Sequence, residues 1–209
     1  MNLSPEEIRV LGCLLEKERT TPDVYPLTLN ALLVACNQST NRNPIVHYDE
    51  LTVERALASL REQGLARRGA YAGSRSPKHR HALDETWHLS IPEQAILGVL
   101  MLRGPQTVGE IKMRTERLYA FSSPDELDAA LTELSSRADP LIAKQARQPG
   151  QKESRYTHTL NQVETSEEHP AEIGSRNEQL DRLTILEMEV QTLRQQFDAL
   201  QAHILRENS

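Results

Sequence analysis

Apolar residues recur at helical spacing over residues 3–18, LSPEEIRVLGCLLEKE, and the same pattern returns in altered form over 89–102, LSIPEQAILGVLML. In the first stretch Ile8, Leu11, Leu14 and Leu15 share one helical face. Ser4-Pro5-Glu6-Glu7 opens that helix with a hydroxyl cap, a proline in the first turn and a carboxylate placed to close a capping box. A turn segment from Thr20 to Pro26 leads to a second helix with Leu29, Leu32, Leu33 and Cys36 inward. The polar run NQSTNRNP (37–44) reads as a loop. A third helix carries Val53, Ala56, Leu57 and Leu60 as its stripe and stops at Gly64. Two extended runs follow, LARRGAYAG and HALDETWHL, joined by the turn-rich SRSPKH, which predicts a β-hairpin.

The second copy keeps the order. Ile91, Ala95, Ile96, Val99, Leu100 and Leu102 mark its first helix. A short second helix from Thr107 has Val108, Ile111 and Met113 as inward candidates. Ser123-Pro124-Asp125-Glu126 opens a third helix (Leu127, Ala130, Leu131, Leu134), again as a capping box. LIAKQAR and SRYTHTL flank PGQ as a second hairpin. A repeated helix–helix–helix–hairpin unit means two copies of one small domain, and the order is that of a winged helix. Each copy alone builds a small core, so docking between them is expected.

Beyond residue 160 the pattern changes. Residues 161–178 are polar and acidic and read as a linker. From 179 to 209 the apolar period is 3.5: Leu183, Leu186, Val190, Leu193, Phe197, Leu200 and Ile204 alternate spacings of three and four. That is a coiled-coil seam of about three heptads, which makes a homodimer the expected state; an amphipathic helix lying on its own body is the alternative. The fold class is therefore mainly α with small β-hairpins (α+β). Two tandem winged-helix domains, 1–89 and 90–160, precede the acidic linker and a C-terminal coiled-coil helix.

Several stretches resemble the signature of the YceH family of uncharacterised bacterial proteins: CNQSTNRNP (36–44), MLRGPQTVGEIKMR (101–114), LYAFSS (118–123) and ARQPGQKESRYTH (146–158). The resemblance runs in order across residues 1–160. It implies a tandem winged-helix fold with a helical tail and implies little about activity, so function has to be argued from sites.

Charge separates the two copies. Lys plus Arg against Asp plus Glu is 11 to 11 over residues 1–90, 9 to 9 over 91–160 and 4 to 10 over 161–209, so the net charge of −6 lies in the tail. In the first copy the hairpin carries Arg67, Arg68, Arg75, Lys78 and Arg80 with no acid between Gln63 and Asp84. Five cations on one hairpin fit phosphate contacts; they also fit a solvated sheet edge guarded by charge. The third helix offers Arg55, Ser59 and Arg61 against Glu54 and Glu62. In the 37–44 loop, Arg42 is the side chain expected to reach outward, while the Asn and Gln residues suit an internal network. The second copy's third helix is acidic, with Asp125, Glu126 and Asp128, and suits a protein partner better than a duplex.

Catalytic chemistry finds little footing. His79, His81 and His88 lack ligands at metal spacing, and Cys13 and Cys36 lie on helix interiors. No glycine-rich phosphate loop or nucleophile elbow occurs. No cofactor or metal is expected. No stretch reaches the ~18 apolar residues of a membrane span, and no signal peptide is evident at the start, so a cytoplasmic location is expected. The preferred reading is a non-enzymatic protein that binds double-stranded DNA or regulates transcription through its first domain. The alternative is a protein–protein adaptor that uses the same kind of surfaces.

Overall fold

The computed structural model describes residues 2–69, 76–147 and 153–161. All of them fall within one compact unit, Met1–Gln162. The architecture is mainly α with two small antiparallel sheets.

The chain begins with α1 (Pro5–Thr20), where Ser4 and Glu7 form the expected capping box. A 3-10 turn (Pro22–Val24) and a two-residue strand, β1 (Leu27–Thr28), precede α2 (Leu29–Cys36), capped by the Thr28 hydroxyl. After the polar loop comes α3 (Glu50–Glu62), capped by Asp49. Gly64 sits at φ +76, a conformation glycine adopts without penalty, and turns the chain out of α3. The hairpin is β2 (Ala66–Gly69) and β3 (Lys78–His81). Its second strand is shorter than the sequence pattern predicts, because Leu83–Thr86 coils into a short helix, α4, that buries Leu83. Alternation in HALDETWHL mimicked a strand, yet a single helical turn buries the same leucine. The sheet gains a member the sequence did not announce: β1 pairs with β3, giving the order β1-β3-β2.

The second half repeats the order with α5 (Ile91–Arg103), α6 (Val108–Thr115), α7 (Pro124–Ser136) and the hairpin β4 (Ile142–Gln145) and β5 (Arg155–His158). The expected stripes on α3 (Val53, Ala56, Leu57, Leu60) and α7 (Leu127, Ala130, Leu131, Leu134) are buried. Three details differ. Ile91 is 43% exposed and Met113 66% exposed, so neither joins the core. The α7 start is capped by Ser123, but Glu126 does not complete a box. Its carboxylate instead accepts from the Ser122 amide and hydroxyl, both at 2.7 Å, and from the Tyr119 hydroxyl. The expected seam from Leu183 to Ile204 lies outside the described residues.

The two halves share one core because their first helices pack on each other, the largest helix–helix contact in the described chain. Aligning the repeat puts Gly12 opposite Gly98 and Leu15 opposite Met101. The packing uses these positions reciprocally: Gly12 lies against Met101 and Leu102, and Gly98 against Leu15. A Cβ at Gly12 would meet Leu102 Cγ and Cδ2 and Met101 Cβ at 3.0 Å, whereas a Cβ at Gly98 would find Leu15 at an ordinary 3.5 Å. Backbone hydrogen bonds add to the docking: the Leu3 amide donates to the Leu160 carbonyl at 2.7 Å and Asn43 to Leu102 at 2.8 Å.

The two glycines should therefore differ on substitution. Gly12→Ala overpacks the α1–α5 contact and is expected to cost about 1–3 kcal/mol. Gly98→Ala fits and gains helix propensity, and should be neutral or stabilising by up to about 1 kcal/mol. Urea unfolding of both variants checks the contrast.

Candidate nucleic-acid interface

The basic hairpin is held at its root by β3. His81 is 2% exposed; its Nε2 lies 3.0 Å from Glu18 of α1, and its Nδ1 accepts from the Leu83 amide at 3.3 Å. The imidazole thus donates through Nε2 to a carboxylate that this hydrogen bond holds below its ordinary range. The His81 amide donates to the Tyr25 hydroxyl at 2.9 Å. Sequence analysis read His81 only as a failed metal ligand; in the fold it fastens the hairpin to α1.

Strand register then sorts the cations between two faces. Arg67 stands opposite Arg80, and Arg68 opposite His79. By alternation Arg67, Lys78 and Arg80 share the outer face. There Glu85 of α4 accepts from Arg80 at 2.6 Å and lies 3.6 Å from Arg67, and the Arg80 hydrogen bond leads in lowering its carboxyl. One acid just beyond the counted segment thus offsets part of the hairpin's charge. Lys78 has no ion-pair partner among the described residues. Arg75 lies outside them.

On the inner face a cleft of about 330 Å³ opens between the start of α2, one stripe of α3 and the hairpin. Arg61 and Arg68 line it together with His79, and Glu50 and Glu54 line it along α3. His79 is 5% exposed, and its Nδ1 has no hydrogen-bond partner among the described residues. Burial, then the neighbouring charges of Arg61 and Arg68, push its pKa down to about 4, which keeps it neutral.

The remaining candidates do not join these two groups. Arg55 and Ser59 line a different hollow, beside Ser4, Glu6 and Glu7 of α1, and the Ser59 hydroxyl accepts from Gln63 at 3.2 Å. Arg42 reverses its expected direction. Its guanidinium is fully buried and makes a bidentate pair with Glu16 at 3.0 and 2.7 Å. It also donates to the Ala35 carbonyl at 3.1 and 3.0 Å and to Gln38 at 2.8 Å. Burial would raise the Glu16 carboxyl, but Arg42's hydrogen bonds and charge hold it below the ordinary range. Arg42 is an internal brace, because a buried carboxylate and a carbonyl compete for it more strongly than water does. In the second half Asp125 and Asp128 are exposed, whereas Glu126 is occupied by its local cap.

A second cationic surface is not evident from the sequence pattern. Arg103, Arg114 and Arg117 surround a hollow of about 280 Å³ that also includes Glu16 and Met113. Arg103 is committed to Asn41, and Arg114 to Gln106 and, at 3.8 Å, Glu110. Its signal was the run KMRTER, read only for helix pattern.

Two outcomes follow. Arg42→Ala leaves the Glu16 carboxylate buried without its partner and should destabilise the protein by about 3–5 kcal/mol, as measured by urea unfolding. His79 binds its proton more weakly in the folded than in the unfolded chain. Its stabilising contribution is therefore present above pH 6.5 and is lost as pH falls through about 4. The melting temperature of wild type should thus decline more steeply over that window than that of His79→Gln.

Among the described residues no helix is long and apolar enough to cross a membrane. Residues 3–151 match the family model described as "Protein of unknown function, DUF480". A UPF0502 protein of Geotalea uraniireducens is 46% identical over 196 residues, covering 91% of this chain and 89% of that protein. Another, of Mesorhizobium japonicum, is 44% identical over 202 residues, covering 95% and 96% respectively. A match over most of the chain, joined by identities of this size along nearly full lengths, leaves one assignment: the chain belongs to the DUF480 family, that of the UPF0502 proteins.

Proposed function

We propose that this chain is a tandem winged-helix protein of the YceH type that binds duplex DNA without catalysing a reaction, and that it grips the phosphate backbone through the first hairpin. The observation that carries this reading is the hairpin's register. It presents Arg67, Lys78 and Arg80 on one face and Arg68, joined by Arg61, on the other, over a root fastened to α1. A rigid two-faced cationic hairpin suits the backbone of a duplex, where contacts position the protein without reading sequence. The exposed side of α3 supplies Glu50, Glu54 and Glu62 against Arg55 and does little to attract phosphate. Affinity of this kind is modest for one chain. A homodimer joined through the 179–209 seam would place two hairpins on one duplex and multiply it. The reading implies a protein of the cytoplasm.

A protein–protein adaptor is the second reading. It is favoured by the exposed Asp125 and Asp128 on α7 and by the outward Val34 and Leu51, 60% and 51% exposed on α2 and α3.

Fluorescence anisotropy with a labelled duplex distinguishes them. Under the DNA reading, log affinity falls linearly with log salt, and Arg67→Ala/Lys78→Ala/Arg80→Ala flattens the slope by about two to three, near 0.9 per phosphate contact removed. Absence of binding at low salt removes the DNA reading. Binding unchanged in the triple variant moves the interface off the outer face of the hairpin.

A further inference from the structure

The inner cleft is more than a continuation of the basic surface, because it is polarised and borders a buried imidazole whose Nδ1 has no hydrogen-bond partner among the described residues. Its floor includes Leu57, which is fully buried; its walls come from α3, the hairpin and the first turn of α2. Arg61 ends the α3 stripe, and Arg68 follows on β2. Both lie close enough to His79 for their charges to lower its pKa. Glu50 and Glu54 precede Arg61 by 11 and 7 residues, roughly 16 and 10 Å along a helix axis. The cationic end is therefore distinct from the acidic end.

Three features meet at the cationic end. Two guanidiniums with no ion-pair partner among the described residues flank the cleft. The start of α2 contributes Leu29 and Asn30, whose amides belong to the first helical turn; the Thr28 hydroxyl is already spent on the Ala31 amide at 3.3 Å. His79, 5% exposed, packs beside them, and its Nδ1 has no hydrogen-bond partner among the described residues.

We infer that this end of the cleft is a discrete phosphate site, in which Arg61, Arg68 and the α2 amides hold one phosphate group beside the His79 imidazole. The inference rests on the DNA reading for the source of that phosphate, a backbone phosphodiester, but the site is defined by its chemistry alone. A phosphate placed there answers both arginines and sets negative charge beside the His79 imidazole. It also removes the repulsion that helps keep the imidazole neutral, so His79 should titrate closer to the ordinary histidine range when the site is filled. The acids at the far end disfavour a second phosphate, which limits the cleft to one group per pass of the strand.

Nitrogen NMR of the histidine side chains in the full-length protein tests this. Inorganic phosphate should shift the His79 Nδ1 resonance saturably. In Arg61→Gln/Arg68→Gln, with an otherwise unchanged amide spectrum, the apparent affinity should fall at least tenfold. No saturable shift, or the same shift in the double variant, overturns the site. If duplex binding then keeps its salt slope while His79 stays silent, the DNA reading survives and the cleft does not belong to it. The source is settled by comparing ligands. A duplex that moves His79 at concentrations a hundredfold lower than phosphate or a mononucleotide assigns the site to a nucleic-acid backbone. A mononucleotide that binds as tightly as the duplex confirms the site and overturns the DNA reading in favour of a small phosphorylated ligand.

Discussion

Arg42 and Glu16 meet in the interior of the first half, and much of the described structure depends on their pairing. The guanidinium closes the 37–49 loop onto α1, donates to the Ala35 carbonyl at the end of α2 and donates to Gln38 Oε1 in the loop itself. Arg9 does the same from about two helical turns earlier on α1, donating to the Cys36 carbonyl at 3.0 Å and to that of Pro44. With the loop so held, Asn43 reaches the Leu102 carbonyl and Asn41 receives Arg103, both at the end of α5. One buried ion pair thus orders a loop, terminates a helix and contributes to joining the halves. Its net energy is not the point, since two desolvated charges seldom outdo a well-packed apolar pair. What it supplies is direction: planar donors have few ways to satisfy a carboxylate and a carbonyl together.

The repeat makes the cost of that choice visible. Glu16 aligns with Leu102 and Arg9 with Ala95, so the second copy fills the equivalent positions with apolar side chains. Correspondingly, its connection between α6 and α7 needs no deep polar brace: Tyr119 and Phe121 stack edge to face at 5.0 Å, and Glu126 tidies the turn. The same helix order is stabilised in one copy by charge and in the other by rings. Divergence of the interiors runs parallel to divergence of the surfaces, where one copy has a cationic hairpin and the other an acidic third helix.

Most of the secondary structure was legible because capping residues and apolar stripes are local signals. Ser4, Asp49, Ser90, Thr107 and Ser123 each begin a helix, and the stripes of α3 and α7 are buried as spaced. Arg9, Glu16 and Arg42 were illegible for the opposite reason. A charged residue is read as outward unless its partner is known, and these partners lie 26 to 35 residues apart. The two-residue β1 carries no periodicity to detect, yet it pairs with β3. Ser59 looked like a free surface group, but its hydroxyl is taken by Gln63 one turn on. Glu126, which by sequence suits both a cap and an acidic contact, is taken up by Tyr119 and Ser122. The cations of the hairpin were legible as a set and misleading as a patch, because strand alternation divides them between faces.

That division bears on what the first half can do. A patch of five cations on one surface would attract any polyanion, whereas two smaller groups on opposite faces of a fastened hairpin present less charge to any one side. The outer group is tempered by Glu85, and the inner group is confined by a cleft with acids at its far end. Neither favours indiscriminate attraction of the kind a strongly charged open surface gives. The α3 carboxylates complete the contrast: Glu50 and Glu54 line the same cleft as Arg61 and Arg68 but precede Arg61 by about three and two helical turns, so charge that nearly cancels when summed over the helix is separated along it.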